Sequence, residues 1–183
     1  MTRSKQSDDT RRMDLLEGWR RRKVLPHVRG HLLDLACGFN NLVAAYRGPG
    51  VGVDVFRWNG IDVLVSTDHL PFVADSFDTV TIVAALNHIP NRRRALAEAY
   101  RVLRPGGRLV VTMIGPFTGK VAHLFFRRDE TTRGGMQEGE EQGLKKAEIL
   151  SLLATSGFVL HHTQAFQFWL NRVYVADKPE RTR

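Results

Sequence analysis

The chain has a single cysteine, Cys37, among 183 residues. That excludes an internal disulfide, offers no cysteine cluster for zinc, and fits a reducing compartment such as the cytoplasm. Nowhere are there about 18 consecutive apolar residues, so no membrane-spanning helix is expected. The first thirty residues also lack the central apolar stretch of an export signal. Acidic residues are in the minority, 19 against 27 Lys and Arg, for a net charge of +8. The excess sits at the ends: residues 1 to 30 carry +5, residues 172 to 183 carry +2, and everything between carries +1. Basic ends around a nearly neutral body read first as solvated or disordered tails, and only second as a contact for RNA or an anionic surface. Repeats are absent, and the length suits one domain able to bury an α/β core.

The stretch LLDLACGFNN at 32 to 41, followed by VGVDV at 51 to 55, reads as a βαβ unit. Leu32, Leu33 and Leu35 form the short apolar run of a strand covered on both faces, and it stops at small residues before Leu42 to Ala45 start a helix. A nucleoside lying against backbone in such a turn needs residues without bulk. Ala36 and Gly38 meet that need, and Asn40 is among the few non-glycines that tolerate positive φ. Asp54 closes the second apolar run sixteen positions after Gly38 and should stand at the strand's carboxyl edge, where a ribose carboxylate belongs. Both of its oxygens accept hydrogen bonds. The alternative is an ordinary β-turn-α corner followed by a helix-capping acid.

Residues 1 to 9 are expected to be disordered. Arg11 to Lys23 can form a helix with Leu15, Leu16 and Trp19 on one face, serving either as a cap over a cleft or as an amphipathic helix packed on the sheet. Strands are expected at about 31 to 36, 50 to 55, 62 to 66, 78 to 84 and 108 to 114. Between the last two, Asn91 is the expected N-cap of a helix with Leu96, Ala99, Tyr100 and Leu103 inward, ended by Pro105-Gly106. Residues 115 to 143 hold glycines and only one apolar cluster, Val121 to Phe126, so a lid, binding loop or disorder is expected there. A helix over Leu144 to Thr155 and strands over Phe158 to His161 and Phe168 to Ala176 complete the pattern. Alternating strands and helices imply a parallel sheet.

Two further segments, LPFVADSFDTVTIVAALNHI at 70 to 89 and YRVLRPGGRLVV at 100 to 111, stand in register downstream of DLACG. Together the pieces resemble the S-adenosylmethionine-dependent class I methyltransferases, in particular the large group of small, soluble ones, from about Leu32 to Pro179. The most specific piece is Arg104-Pro105-Gly106-Gly107-Arg108 between a helix and an apolar strand. The resemblance implies an α/β, Rossmann-like, doubly wound sheet of seven strands, mostly parallel with a reversed last strand. It divides the chain into a basic tail and cap helix at 1 to 30, the domain at 31 to 179, with 115 to 143 as lid or acceptor-binding insertion, and a tail at 180 to 183. S-adenosyl-L-methionine is the implied cofactor and S-adenosyl-L-homocysteine the product. The implied cofactor-binding residues are Asp34, Ala36, Cys37, Gly38, Asn40, Asp54, Val55, Ser66, Thr67, Asp68 and Ala84, with Asp34 complementing the cofactor's ammonium. Three positions depart from the family pattern: Asn40 replaces a usual glycine, Ser66 replaces the acid that reads the adenine amino group, and Ala84-Ala85 follows strand four. Asp68 is the nearest substitute acid.

The implied reaction is in-line methyl transfer to a small-molecule acceptor, mainly by proximity and alignment, because a sulfonium methyl is already activated. Alternatives are an RNA methyltransferase using the basic N-terminal arm, and a cofactor-binding partner protein without activity. His88, just after strand four, is the one candidate base, and a structural role is its bland reading. His161 and His162 adjoin on an expected strand, should point to opposite faces, and so should not share a metal. No metal site is expected. Cys37 reads as packing, not nucleophile. NHIP at 87 to 90 is not the Asn/Asp-Pro-Pro-aromatic motif of nucleobase-amine methyltransferases, which counts against DNA. Candidate acceptor contacts are His123, Phe125, Phe126 and Arg127. Neither the acceptor nor the oligomeric state is legible.

Overall fold

A computed structural model describes residues 16 to 115, 139 to 141 and 143 to 181. The expectations for residues 1 to 15 and for His123, Phe125, Phe126 and Arg127 lie outside these. Within them, helix α1 covers 16 to 24 and runs into a 3-10 turn at Leu25–His27. There follow β1 (Leu32–Leu35), α2 (Asn41–Ala45), β2 (Gly50–Asp54), β3 (Val63–Leu64) and β4 (Phe77–Val83). After a 3-10 turn at Leu86–His88 come α3 (Arg92–Val102), β5 (Leu103–Ile114), α4 (Lys146–Thr155), β6 (Val159–Phe166) and β7 (Asn171–Asp177).

The strands form one sheet in the order β3-β2-β1-β4-β5-β7-β6, parallel from β3 through β5, with β7 antiparallel to both neighbours. This is the expected seven-stranded, Rossmann-like arrangement. Strand order reverses beside β1, so the carboxyl ends of β1, β2 and β4 open a crevice there. β1 and the centre of β4 are buried on both faces, as their unbroken apolar runs require. One face packs against α3 through Ala95, Leu96, Ala99 and Val102 and against α4 through Ile149, Leu152 and Leu153. The other carries a smaller cluster in which Val24 of α1 meets Val110, Phe166, Val173 and Val175. Among the described residues, no helix is long and apolar enough to cross a membrane.

Several expectations need correction. Asn91 occupies the N-cap position of α3, but its side chain makes no capping bond. α3 stops at Val102 and the chain extends at once from Leu103, so β5 begins five residues before the expected 108. Within that start Pro105-Gly106-Gly107 bows out of register, with Gly106 at φ +73°. Lys178 clamps this corner: its backbone exchanges bonds with Gly106 and Gly107, and its ammonium donates to Asp75 Oδ1 (2.8 Å) and the carbonyls of Tyr100 and Leu103. β6 is twice the expected length, while β7 starts at Asn171 because Gln167, Phe168 and Trp169 all take positive φ and form the turn. Trp19 does not face the core, but is exposed beside Phe168 at 6.2 Å between ring centroids.

The two adjacent histidines are a further correction. A bulge between Leu160 and His162 shifts the register, so His162 pairs with Val175. It adds a residue on one strand and breaks the alternation. His161 Nε2 lies 3.3 Å from Asp177 Oδ2, and His162 lies 5.5 Å from His27, so both rings serve one face. Among the described residues, no group of histidine, cysteine and acid side chains has metal-holding geometry.

Candidate functional site

The loop between β1 and α2 builds the crevice floor. Ala36, Gly38 and Asn40 alternate in left-handed conformation, at φ +58°, +56° and +59°. The loop is tied to β2 by Cys37 N donating to Val53 O (3.1 Å) and Gly38 N donating to Asp54 Oδ2 (2.9 Å). Asp54 Oδ1 also accepts from Phe56 N (3.0 Å). Among the described residues each carboxylate oxygen therefore has one backbone donor and a lone pair to spare, with the side chain at the cavity wall. Among the described residues, a β-carbon added at Gly38 would meet nothing within 4 Å.

Asp34, at the end of β1, is 3% exposed. Thr81 Oγ1 donates to its Oδ1 (2.5 Å), the one hydrogen bond to its carboxyl among the described residues. Burial, reinforced by the negative charges of Asp54 and Glu17, pushes its pKa up to about 7 against the pull of the Thr81 bond. A buried acid facing a cavity with so little donor support is suited to a cationic ligand group, which would restore its charge. Burial also pushes the Cys37 thiol up, so it stays protonated, in keeping with a packing role.

Asp34, Ala36, Cys37, Gly38, Asp54, Val55, Thr67, Ala84 and His88 line one cavity of about 290 Å³. Ser66 and Asp68 line an adjoining cavity of about 410 Å³ that shares Val55, Thr67, His88, Ile89 and Pro90 with the first. The Ser66 hydroxyl donates to Asp68, so the two act as a pair. Asn40 does not line either cavity. Its amide donates to Gly60 O and Asp62 Oδ2, both at 3.0 Å, which fixes the loop from behind.

His88 stands where the two cavities meet. Asn87 Nδ2 donates to its Nε2 (3.1 Å), which places the ring proton on Nδ1, facing Glu140 Oε2 at 3.3 Å. Asn87 also donates to Glu141 O, and Arg92 pairs with Glu141 and donates to Gly139 O, so residues 139 to 141 are fastened to the edge of β4.

Sequence reasoning missed several lining residues. Glu17, Arg20 and Arg21 project from α1 into the first cavity, so α1 both caps the crevice and packs on the sheet through Val24. Phe39 and Trp58 also line it, and with Phe56 they form an aromatic group with centroids 5.0 and 4.8 Å apart. The only signal for these was their closeness in sequence to Gly38 and Asp54.

Comparison with known proteins agrees with this architecture. Residues 33–111 match a family described as a methyltransferase domain. The chain is 30% identical to the demethylmenaquinone methyltransferase of Thermus thermophilus, over 88% of this chain and 90% of that protein. Two solved structures share the fold. One is a SAM-dependent methyltransferase of Thermotoga maritima: TM-score 0.67, 17% identity, 94% of this chain and 96% of that one. The other is the Burkholderia thailandensis 1,6-didemethyltoxoflavin-N1-methyltransferase with its substrate and S-adenosylhomocysteine bound: TM-score 0.64, 16% identity, 88% and 77%. On the match over most of both chains, the domain match and the seven-stranded sheet with its reversed strand, the chain belongs to the S-adenosylmethionine-dependent class I methyltransferases.

Proposed function

We propose that this enzyme, working in the cytoplasm, transfers the methyl group to a small-molecule acceptor, with a demethylated quinone ring as the first candidate. The observation that carries this reading is the shape of the crevice: two confluent concave cavities of small-molecule size at the sheet edge, the first bordered by α1. Resemblance to a demethylmenaquinone methyltransferase over nearly the whole of both chains supports the choice of candidate.

When bound, S-adenosylmethionine supplies a methyl group already activated on a sulfonium centre. In this reading Asp54 takes the ribose hydroxyls on its spare lone pairs, and Asp34 takes the ammonium of the amino-acid end. Ala36, Cys37, Gly38 and Ala84 keep the backbone close to the ligand, while Val55, Thr67, Ser66 and Asp68 surround the base. Asn40 acts from behind, holding the loop in shape. Glu17, Arg20, Arg21 and His88 also line the first cavity, and in this reading they are left to the acceptor. The chain's contribution is to bind, orient and exclude water, and alignment of two bound partners can supply roughly 7 to 11 kcal/mol of the barrier.

The test is a transfer assay with labelled S-adenosylmethionine, a short-chain demethylated naphthoquinol and bulk RNA as competing acceptors. Label on the ring carbon is expected. Label in RNA with none on the ring would overturn the proposal.

A further inference from the structure

We infer that the β6–β7 turn and the outer face of α1 form a docking surface for anionic lipid bilayers, placing the mouth of the crevice at the membrane. The inference does not depend on which acceptor is used. The turn, residues 167 to 170, presents Phe168 and Trp169 at 82% and 84% exposure, followed by Leu170, and Trp19 of α1 extends the apolar surface. Three successive non-glycine residues, Gln167 to Trp169, hold positive φ, a conformation that costs free energy for residues of this kind. The arrangement aims large apolar rings into solvent, against the usual economy of a soluble surface.

The turn is not loose. Gln167 Nε2 donates to Leu16 O (2.8 Å), and Asn171 Nδ2 bonds Gln167 Oε1, so turn and helix are one unit. Because Ile114 pairs with Asn171, this unit lies at the carboxyl edge of β5, the same edge as the crevice. α1 therefore presents Glu17, Arg20 and Arg21 to the cavity, and Trp19 and the exposed Arg22 outward. Of the basic run Arg20 to Lys23, Arg20 and Arg21 face the cavity, which leaves Arg22 and Lys23 for the outer side of a helix whose described part has one acid, Glu17, 3.8 Å from Arg21.

Aromatic side chains beside basic ones suit the headgroup zone of an anionic leaflet, where rings insert and cations stay at the surface. A second copy of the chain would bring like charges together across the patch. At the tip the rings are joined by aliphatic Leu170, an apolar cluster suited to insertion and not to base stacking along a phosphate backbone.

The test is co-sedimentation of the full chain with vesicles of phosphatidylcholine alone and with 30% phosphatidylglycerol, at two salt concentrations. Binding to the anionic vesicles is expected, weaker at high salt, with little on the neutral ones. Phe168→Ser/Trp169→Ser should lower the partition coefficient at least tenfold while S-adenosylhomocysteine binding stays unchanged, and Arg22→Glu should lower it severalfold. Failure of the wild type to bind anionic vesicles, or equal binding by the double variant, would overturn the inference. So would concentration-dependent dimerisation, or single-stranded RNA binding, lost in the same double variant without any vesicle binding.

Discussion

Replacing Asp34 by Asn should make the ligand-free protein more stable and the cofactor complex weaker. In the fold the carboxyl has its pKa raised to about 7 by burial, from 3.8. A raised acid stabilises the fold in its protonated form: that contribution is complete below about pH 3.8 and is lost as pH rises through about 7. Three pKa units correspond to about 4 kcal/mol. Asn also accepts the Thr81 bond, but its buried amide protons lack a partner and return roughly half of that. The net expectation is about 2 kcal/mol of added stability at pH 8 and a comparable loss near pH 4, where the wild-type carboxyl is protonated and only the amide's cost remains. For a chain of this length that is a rise in Tm of roughly 4 to 8 °C at pH 8. Meanwhile the charge-assisted bond proposed between Asp34 and the cofactor's ammonium, worth about 1.5 to 3 kcal/mol, would be lost, so Kd for S-adenosylhomocysteine should rise roughly ten- to a hundredfold. Thermal melts at pH 5 and pH 8, with calorimetry in two buffers of different ionisation heat, measure both effects. Proton release on binding near pH 7, present in the wild type and absent in the variant, is the sharpest sign. A variant less stable at pH 8, with unchanged affinity, would refute the electrostatic account of this site.

Asp54→Ala should weaken S-adenosylhomocysteine binding well over tenfold by calorimetry and also loosen the loop, since Gly38 N and Phe56 N lose their acceptor. Gly52→Ala would place a β-carbon 1.9 Å from Asn40 Oδ1 and 2.9 Å from Cys37 Sγ. Overpacking of this kind should cost about 1 to 3 kcal/mol in denaturant unfolding, and displacement of the loop should reduce cofactor affinity as well. His88→Ala should lower turnover less than tenfold, because the ring is held between Asn87 and Glu140 and an activated methyl mainly needs alignment. A loss of roughly 10² to 10⁴, accompanied by disappearance of the enzyme's pH dependence, would instead make the imidazole a base.

The strand ends that build the site were legible because a short apolar run with an acid at or near its end, Asp34 in β1 and Asp54 in β2, marks both a buried strand and the polar group at its edge. Asn40 announced its positive φ, being one of the few side chains suited to it, although its amide turned out to brace the loop from behind. Ala36, Phe168 and Trp169 adopt the same region with no such mark, and the β6–β7 boundary was misplaced for that reason. The single face of His161 and His162 was illegible because strict alternation holds only until a bulge, which leaves no residue signature here. Glu17, Arg20 and Arg21 look like the solvent face of an amphipathic helix until tertiary packing sets the crevice beneath them. The Lys178 clamp joins residues about a hundred positions apart, beyond the reach of any local pattern.

Because β7 runs against its neighbours, β6 and β7 are joined by a four-residue tip, where parallel strands would need a crossover helix buried on the sheet. A crossover is bound to the core in length and sequence. A hairpin tip touches little of it, and doubling a loop adds only about 0.6 kcal/mol to closure. Residues 168 to 170 are therefore portable, with Gln167 kept as the tie to α1: tips from related chains can be grafted there, longer or shorter, without repacking α3 or α4 or disturbing the loop at 32 to 41. The working edge of such a fold can be redirected in evolution or in the laboratory by exchanging three residues, while the chemistry beside them stays as it is.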